Sequence, residues 1–172
     1  MPEDGLVESN VAVLADEGRQ VELAVPVTRL TRLAEMLASS DGTVTGSVAL
    51  AREEGRAVAD VRFAATLTVT CQRCLAPMPL ELAGGSRVVL LEREEDAAGV
   101  PQEFETTLAP NGRLPLAGLI EEELLLALPA APRHAAGQCP AAWPVMREED
   151  AAPEVQRPFA QLGELLAGRS KH

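Results

Sequence analysis

The sequence predicts an α+β fold, an antiparallel sheet or a small partly closed β-barrel with helices packed on it. Three observations lead there. Residues 61–70 alternate apolar and polar with a period of two. In residues 116–128 the apolar residues recur at helical spacing instead. Hydrophobic residues make up 47% of the 172-residue chain, enough for one core at a length typical of one domain. We therefore read residues 1–172 as a single domain, with 1–10 and about 92–105 mobile.

From the N-terminus, Val21, Leu23 and Val25 alternate with Glu22 and Ala24 and predict a short strand. Thr28 is placed to cap a helix carrying Leu30, Leu33 and Leu37, which ends at Ser39-Ser40-Asp41-Gly42. Residues 43–50 form the next strand, with Val44, Val48 and Leu50 on one face. Glu53-Glu54-Gly55-Arg56 is a turn. It leads into the clearest strand of the chain, in which Val61, Phe63, Ala65, Leu67 and Val69 share one face. Continued one step, the alternation puts Cys71 on that face as well. Residues 78–82 and 87–91 read as two further strand segments interrupted at Gly84-Gly85 by a bulge or turn. Residues 92–105 hold six acids against one arginine and read as a solvated loop.

Asn111-Gly112 marks a turn, and Pro115 suits the first position of a helix. Leu116, Ile120, Leu124 and Leu128 form its apolar stripe, with Leu119 and Leu126 thickening it. The second half is apolar nearly all round and is expected to be buried. Glu121-Glu122-Glu123 reads as a solvated helix face rather than as paired catalytic carboxylates. Pro129 and Pro132 stop the helix. The last segment, with Phe159, Leu162, Leu165 and Leu166, predicts a short amphipathic helix over 158–167, and Trp143 is expected to pack on the core.

Charge and composition narrow the function. The net charge is −11 and aromatic residues are 2% of the chain. Non-specific RNA binding draws on Lys and Arg, and single-strand readers draw on aromatic stacking, so both are poorly supplied. Acidity favours solubility or a basic partner. There is no apolar run near the roughly 20 residues of a membrane span, and no signal-peptide pattern at the start. Three cysteines do not form a secreted disulfide framework. We expect a cytoplasmic protein.

The chemistry lies in two pairs. Cys71-Gln-Arg-Cys74 follows the Thr/Val-rich strand, where a turn can aim both sulfurs at one ion. Sixty residues after Cys74, His134 and Cys139 sit in a loop containing Pro and Gly. The pairs use every cysteine and the only internal histidine. Together they make a Cys3His set, a known structural zinc combination with all four positions closed by protein. Two other readings stay open. One is two reduced, half-buried thiols beside a surface histidine. The other is a redox Cys-x-x-Cys, although that chemistry usually places the first Cys at a helix N-terminus, and Pro77 and Pro79 argue against a helix here.

Cys71-Gln-Arg-Cys74-Leu, the run Leu116 to Pro129 leading into Pro132-Arg-His134 and Cys139, and Arg157-Pro158-Phe159 to Leu165 together resemble the YceD-like family. These are the large-ribosomal-RNA-subunit accumulation proteins of bacteria and plastids. The order and spacing match over about residues 20–167. The resemblance implies a role in large-subunit ribosomal RNA accumulation, hence ribosome assembly, without enzymatic activity. The expected partner is a ribosomal protein or the pre-ribosomal large subunit. Direct ribosomal RNA binding is the alternative, since Arg19, Arg29, Arg32, Arg52, Arg56, Arg62 and Arg73 have the chance of gathering into a basic face. A redox enzyme acting through Cys71 and Cys74 is the remaining one.

Overall fold

A computed structural model describes residues 3–139. The predicted helix over 158–167 and Trp143 lie outside the described residues. The elements run β1 (Glu8–Asn10), α1 (Val11–Asp16), β2 (Gln20–Pro26), α2 (Thr31–Glu35), β3 (Thr43–Glu53), β4 (Arg56–Thr70), β5 (Pro77–Leu91), β6 (Glu105–Leu108), β7 (Arg113–Pro115) and α3 (Leu116–Ala127). The main sheet has the order β2-β3-β4-β5-β6, antiparallel except for the parallel β5–β6 pair. It is open, with β2 and β6 at its edges, so the barrel alternative is set aside. β1 and β7 pair separately.

The period-two residues do what their spacing predicts. Val61, Phe63, Leu67 and Val69 of β4 and Val44, Val48 and Leu50 of β3 are buried on one face, joined there by Leu23 and Val25 of β2. The β3–β4 turn uses Glu54 and Gly55 at φ 47° and 81°, the left-handed pair that matches strand twist in a two-residue hairpin. α1 packs on β3 and β4, and α3 on β4 and β5, closing the core from this side.

β5 differs from the two segments expected. It is one strand of 15 residues, paired with β4 in unbroken register from Ala57–Leu90 to Thr70–Pro77, with no bulge at Gly84-Gly85. The glycines are there for close approach. A Cβ on Gly85 would lie 2.0 Å from the Val61 carbonyl oxygen, and one on Gly84 would press on the Phe63 ring at 3.1 Å.

The helices also depart from expectation in detail. Thr28 caps nothing. A 3-10 turn spans Val27–Arg29 and α2 starts only at Thr31, with no side-chain cap of its own. The missing cap comes from α3. Glu121 is buried, and its carboxylate accepts the Leu33 N–H at 3.2 Å and the Arg32 Nε–H at 3.3 Å. It thus serves an orphan donor in the first turn of α2, and one of the three acids read as a solvated face is a structural bond. Pro115 precedes α3 as its N-cap rather than opening it. Leu116, Leu119, Ile120 and Leu124 are buried as predicted, each contributing roughly 1.5–3 kcal/mol. Leu126 is 76% exposed, so the second half of α3 is not buried all round.

Two further segments carry structure that the sequence did not announce. Asn10 caps the six-residue α1, its side chain accepting the Val13 N–H at 3.1 Å. Residues 94–99 form 3-10 turns whose acids face outward, while Ala97 and Val100 pack on a small second cluster of Val58, Val89 and Leu91. Arg56 Nη2 donates to the Gly99 carbonyl at 2.5 Å and ties that segment to β4.

β3 pairs with β4 only as far as Ala64, so residues 65–70 and their β5 partners run on as an arm, touched by Ser39 at Thr68. β6 pairs β5 only at Val88–Leu91 and leaves residues 77–87 as an edge. Pro77 and Pro79, which have no N–H to offer, stand on that edge.

Three substitutions test this account. Gly85→Val should cost about 3 kcal/mol or more in urea denaturation, because the clash is with backbone that cannot step aside. Glu121→Ala should cost about 2 kcal/mol by leaving the Leu33 N–H without its acceptor. Glu122→Ala, which removes only an exposed partner of Arg32, should cost under about 0.5 kcal/mol. Equal losses at 121 and 122 would contradict the capping role.

Candidate metal centre

The tip of the β4–β5 arm is the turn that carries the first pair of thiols. β4 ends at Thr70, and Cys71 follows on the buried face, as its alternation with Val69 predicts. The Leu75 N–H donates to the Cys71 carbonyl at 2.9 Å, and the Cys71 N–H donates to the Ala76 carbonyl at 3.0 Å. Leu75 takes φ 60° to close the turn. Both cysteines thus sit on a tight knuckle between two strands and not at the start of a helix.

The second pair comes from the chain after α3. The Gln72 N–H donates to the Pro132 carbonyl at 2.8 Å and fastens the two segments side by side. Residues 135–138 then turn back, with the Gln138 N–H donating to the Ala135 carbonyl at 3.1 Å and Gly137 at φ 78°. This brings His134 and Cys139 to the knuckle. One donor atom from each of Cys71, Cys74, His134 and Cys139 lies within 4.8 Å of all the others. His134 Nδ1 is 3.4 Å from the Cys74 sulfur and 3.8 Å from the Cys139 sulfur. A tetrahedral zinc with Zn–S near 2.3 Å sets its ligand atoms roughly 3.5–3.8 Å apart, so the spacing fits. The three cysteines are free thiols. Cys71 is fully buried, and the other three residues are partly buried.

The electrostatics favour a cation. Burial pushes the Cys71 thiol up, but N–H groups of Cys74, His134 and Arg73, together with the His134 side chain, outweigh it and bring Cys71 down to about 5. The Ala76 N–H acts to lower Cys74, yet burial and the neighbouring Cys139 and Cys71 sulfurs prevail and raise it. Without an ion, three adjacent sulfurs cannot all hold negative charge cheaply. A divalent ion removes that conflict, and its binding would release the protons that remain.

All four residues predicted from spacing therefore converge. Missed in the sequence was Arg73, inside the Cys-x-x-Cys, whose Nε donates to the Cys139 sulfur at 3.1 Å and whose Nη2 donates to the His134 and Ala135 carbonyls, each at 3.2 Å. Its position between two thiols was the available signal.

The fold and the site together define an α+β protein with a Cys3His cluster, able to hold a metal ion, at the tip of an extended hairpin. The family model described as the large ribosomal RNA subunit accumulation protein YceD matches residues 59–166. That range spans more than half of the chain and includes all four candidate ligands. The chain belongs to the YceD family. No solved structure matches it.

If the cluster holds zinc, the protein purified without added metal or chelator should carry about one zinc per chain by mass spectrometry. Cys71→Ser and His134→Ala should each abolish retention and lower the thermal midpoint. A metal-free wild-type protein with three titratable thiols would defeat this reading.

Proposed function

We propose that this protein is a non-catalytic assembly factor, acting in the cytoplasm, that promotes accumulation of large-subunit ribosomal RNA by holding a basic ribosomal protein or a pre-ribosomal particle. The family description supports the ribosomal setting. The observation that supports the mode of action is where the acids lie. The net charge is −11. Glu103, Glu105 and Glu122 are exposed, and Glu105, Glu122 and Glu123 help line one groove between β6 and α3 together with Phe104 and Leu126. Phe104 and Leu126 are exposed at 42% and 76%, apolar ground ringed by carboxylates. Such a surface attracts a Lys- and Arg-rich chain and gives it something to pack on.

The same structure weighs against the alternatives. Arg32 pairs with Glu121 and Glu122, and Arg52 with Asp16. Arg56 bonds Gly99, and Arg73 bonds the 134–139 loop. Four of the seven arginines considered for RNA are thus committed to partners within the fold. For a redox enzyme the attacking thiolate must be reached, and Cys71 is fully buried.

Affinity purification from cells should recover a basic large-subunit ribosomal protein or a pre-ribosomal large subunit, with recovery falling as salt rises. Glu103→Lys combined with Glu105→Lys and Glu122→Lys should weaken capture by about tenfold or more with little change in the thermal midpoint, since only the exposed Glu122–Arg32 pair is lost. Absence of any ribosomal component, or capture indifferent to the charge reversal, would overturn the proposal.

A further inference from the structure

We infer that Arg73 is the positioning residue of the Cys71, Cys74, His134 and Cys139 cluster, holding the His134–Cys139 loop on the hairpin knuckle and balancing the charge of the metal-loaded site. The charge-balancing part rests on the zinc reading above. The holding part is visible in the protein chain alone.

The geometry assigns the role to this residue and not to its neighbour. Two residues separate Cys71 from Cys74. Gln72 turns back on its own strand, its Nε2 donating to the Thr70 carbonyl at 3.3 Å. Arg73 reaches across to the other half of the cluster, with Nε on the Cys139 sulfur at 3.1 Å and Nη2 on the His134 and Ala135 carbonyls at 3.2 Å. One planar fork thereby contacts one ligand atom and the backbone of a second ligand residue. These bonds span 61 to 66 residues of sequence, so they fix the approach of two segments that nothing local would bring together.

The charge argument follows from the donor set. Three thiolates and a neutral imidazole carry one more negative charge than a zinc ion carries positive. A guanidinium touching one of those sulfurs offsets that excess, and its N–H···S bond steadies the thiolate. Lysine would bring the charge without the fork, because an ammonium on a flexible stem cannot meet the sulfur and both carbonyls in one rigid plane.

The test uses the full-length chain with Arg73→Gln, Arg73→Lys and, as a control for net charge next to the site, Arg133→Gln at an exposed position. Zinc affinity is read by competition with a chromophoric chelator, and thermal midpoints are read on the zinc-saturated proteins. Exchange of backbone amides in residues 134–139 is read on the metal-free proteins. Arg73→Gln should weaken zinc binding about 10–100-fold, the usual cost of losing a group that orients a ligand. Arg73→Lys should recover part of that loss, and Arg133→Gln should stay within about threefold of wild type. The zinc-saturated midpoint of Arg73→Gln should fall with its weaker binding, because zinc stabilises the fold in proportion to ln([Zn]/Kd), while that of Arg133→Gln should match wild type. Wild-type affinity in Arg73→Gln, or an equal loss in Arg133→Gln, would overturn the inference. If Arg73→Gln does not fold, Arg73→Lys decides, and wild-type affinity in that variant overturns it. A wild-type protein that binds no zinc would sink the metal reading and the charge balance with it. The holding role would then stand if the 134–139 amides of Arg73→Gln exchange faster than wild type, and fall if they do not.

Discussion

The unbroken pairing of β4 with β5 is the constraint on which the remaining structure depends. Fourteen residues of β4, Ala57 to Thr70, face fourteen of β5 without a bulge. A single slip would turn every side chain of one strand to the wrong face. Because the register holds, Val61, Phe63 and Leu67 reach the core at one end of the ladder, and Cys71 arrives on the same face at the other. The core and the thiol site are therefore two ends of one alternation. Gly84 and Gly85 keep it unbroken by letting the backbone of β4 and the Phe63 ring lie against β5 where side chains would intrude.

That ladder outruns the rest of the sheet. Beyond Ala64 the hairpin has no β3 beside it, and an isolated two-stranded ribbon is marginal in water. The arm is secured at its tip through the Gln72–Pro132 hydrogen bond, the Arg73 fork and the convergence of His134 and Cys139 on the two cysteines. A metal there would add a cross-link spanning 60 residues between Cys74 and His134, in a chain whose core is built from Val, Leu and Ala with few aromatics. The carboxylates considered for partner binding are elsewhere, around β6 and the outer side of α3. Under that proposal, anchoring and recognition fall on different surfaces.

Much of this was legible in the sequence where a signal was local and repeated. Period-two runs and the Glu54-Gly55 turn located β2, β3 and β4, and helical spacing located α3. The two ligand pairs were legible because Cys and His are few and the spacing within each pair is short. Features that depend on distant neighbours were not. Gly84-Gly85 carries the same letters as a turn, and only the facing Val61 and Phe63 show why a strand needs them. Glu121 reads like Glu122 and Glu123 until α2 is set beside it. Arg73 was one arginine among seven until the 134–139 loop folded onto it. The six-residue α1 is too short to show a period, and its start depends on the single Asn10 cap.

The carboxylate of Glu121 has a consequence for how the chain is completed on the ribosome that makes it. The donor it satisfies, the Leu33 N–H, lies 88 residues earlier in the sequence. Ser9 likewise finds its strand partner only at Leu114, and the Gly5 carbonyl accepts a hydrogen bond only from Ala117. The hairpins of residues 43–91 have their partners close by in sequence and can pair as they emerge. Gly5, Ser9 and Leu33 are therefore made well before their partners. They wait, with backbone groups still bonded to water, until α3 has left the exit tunnel.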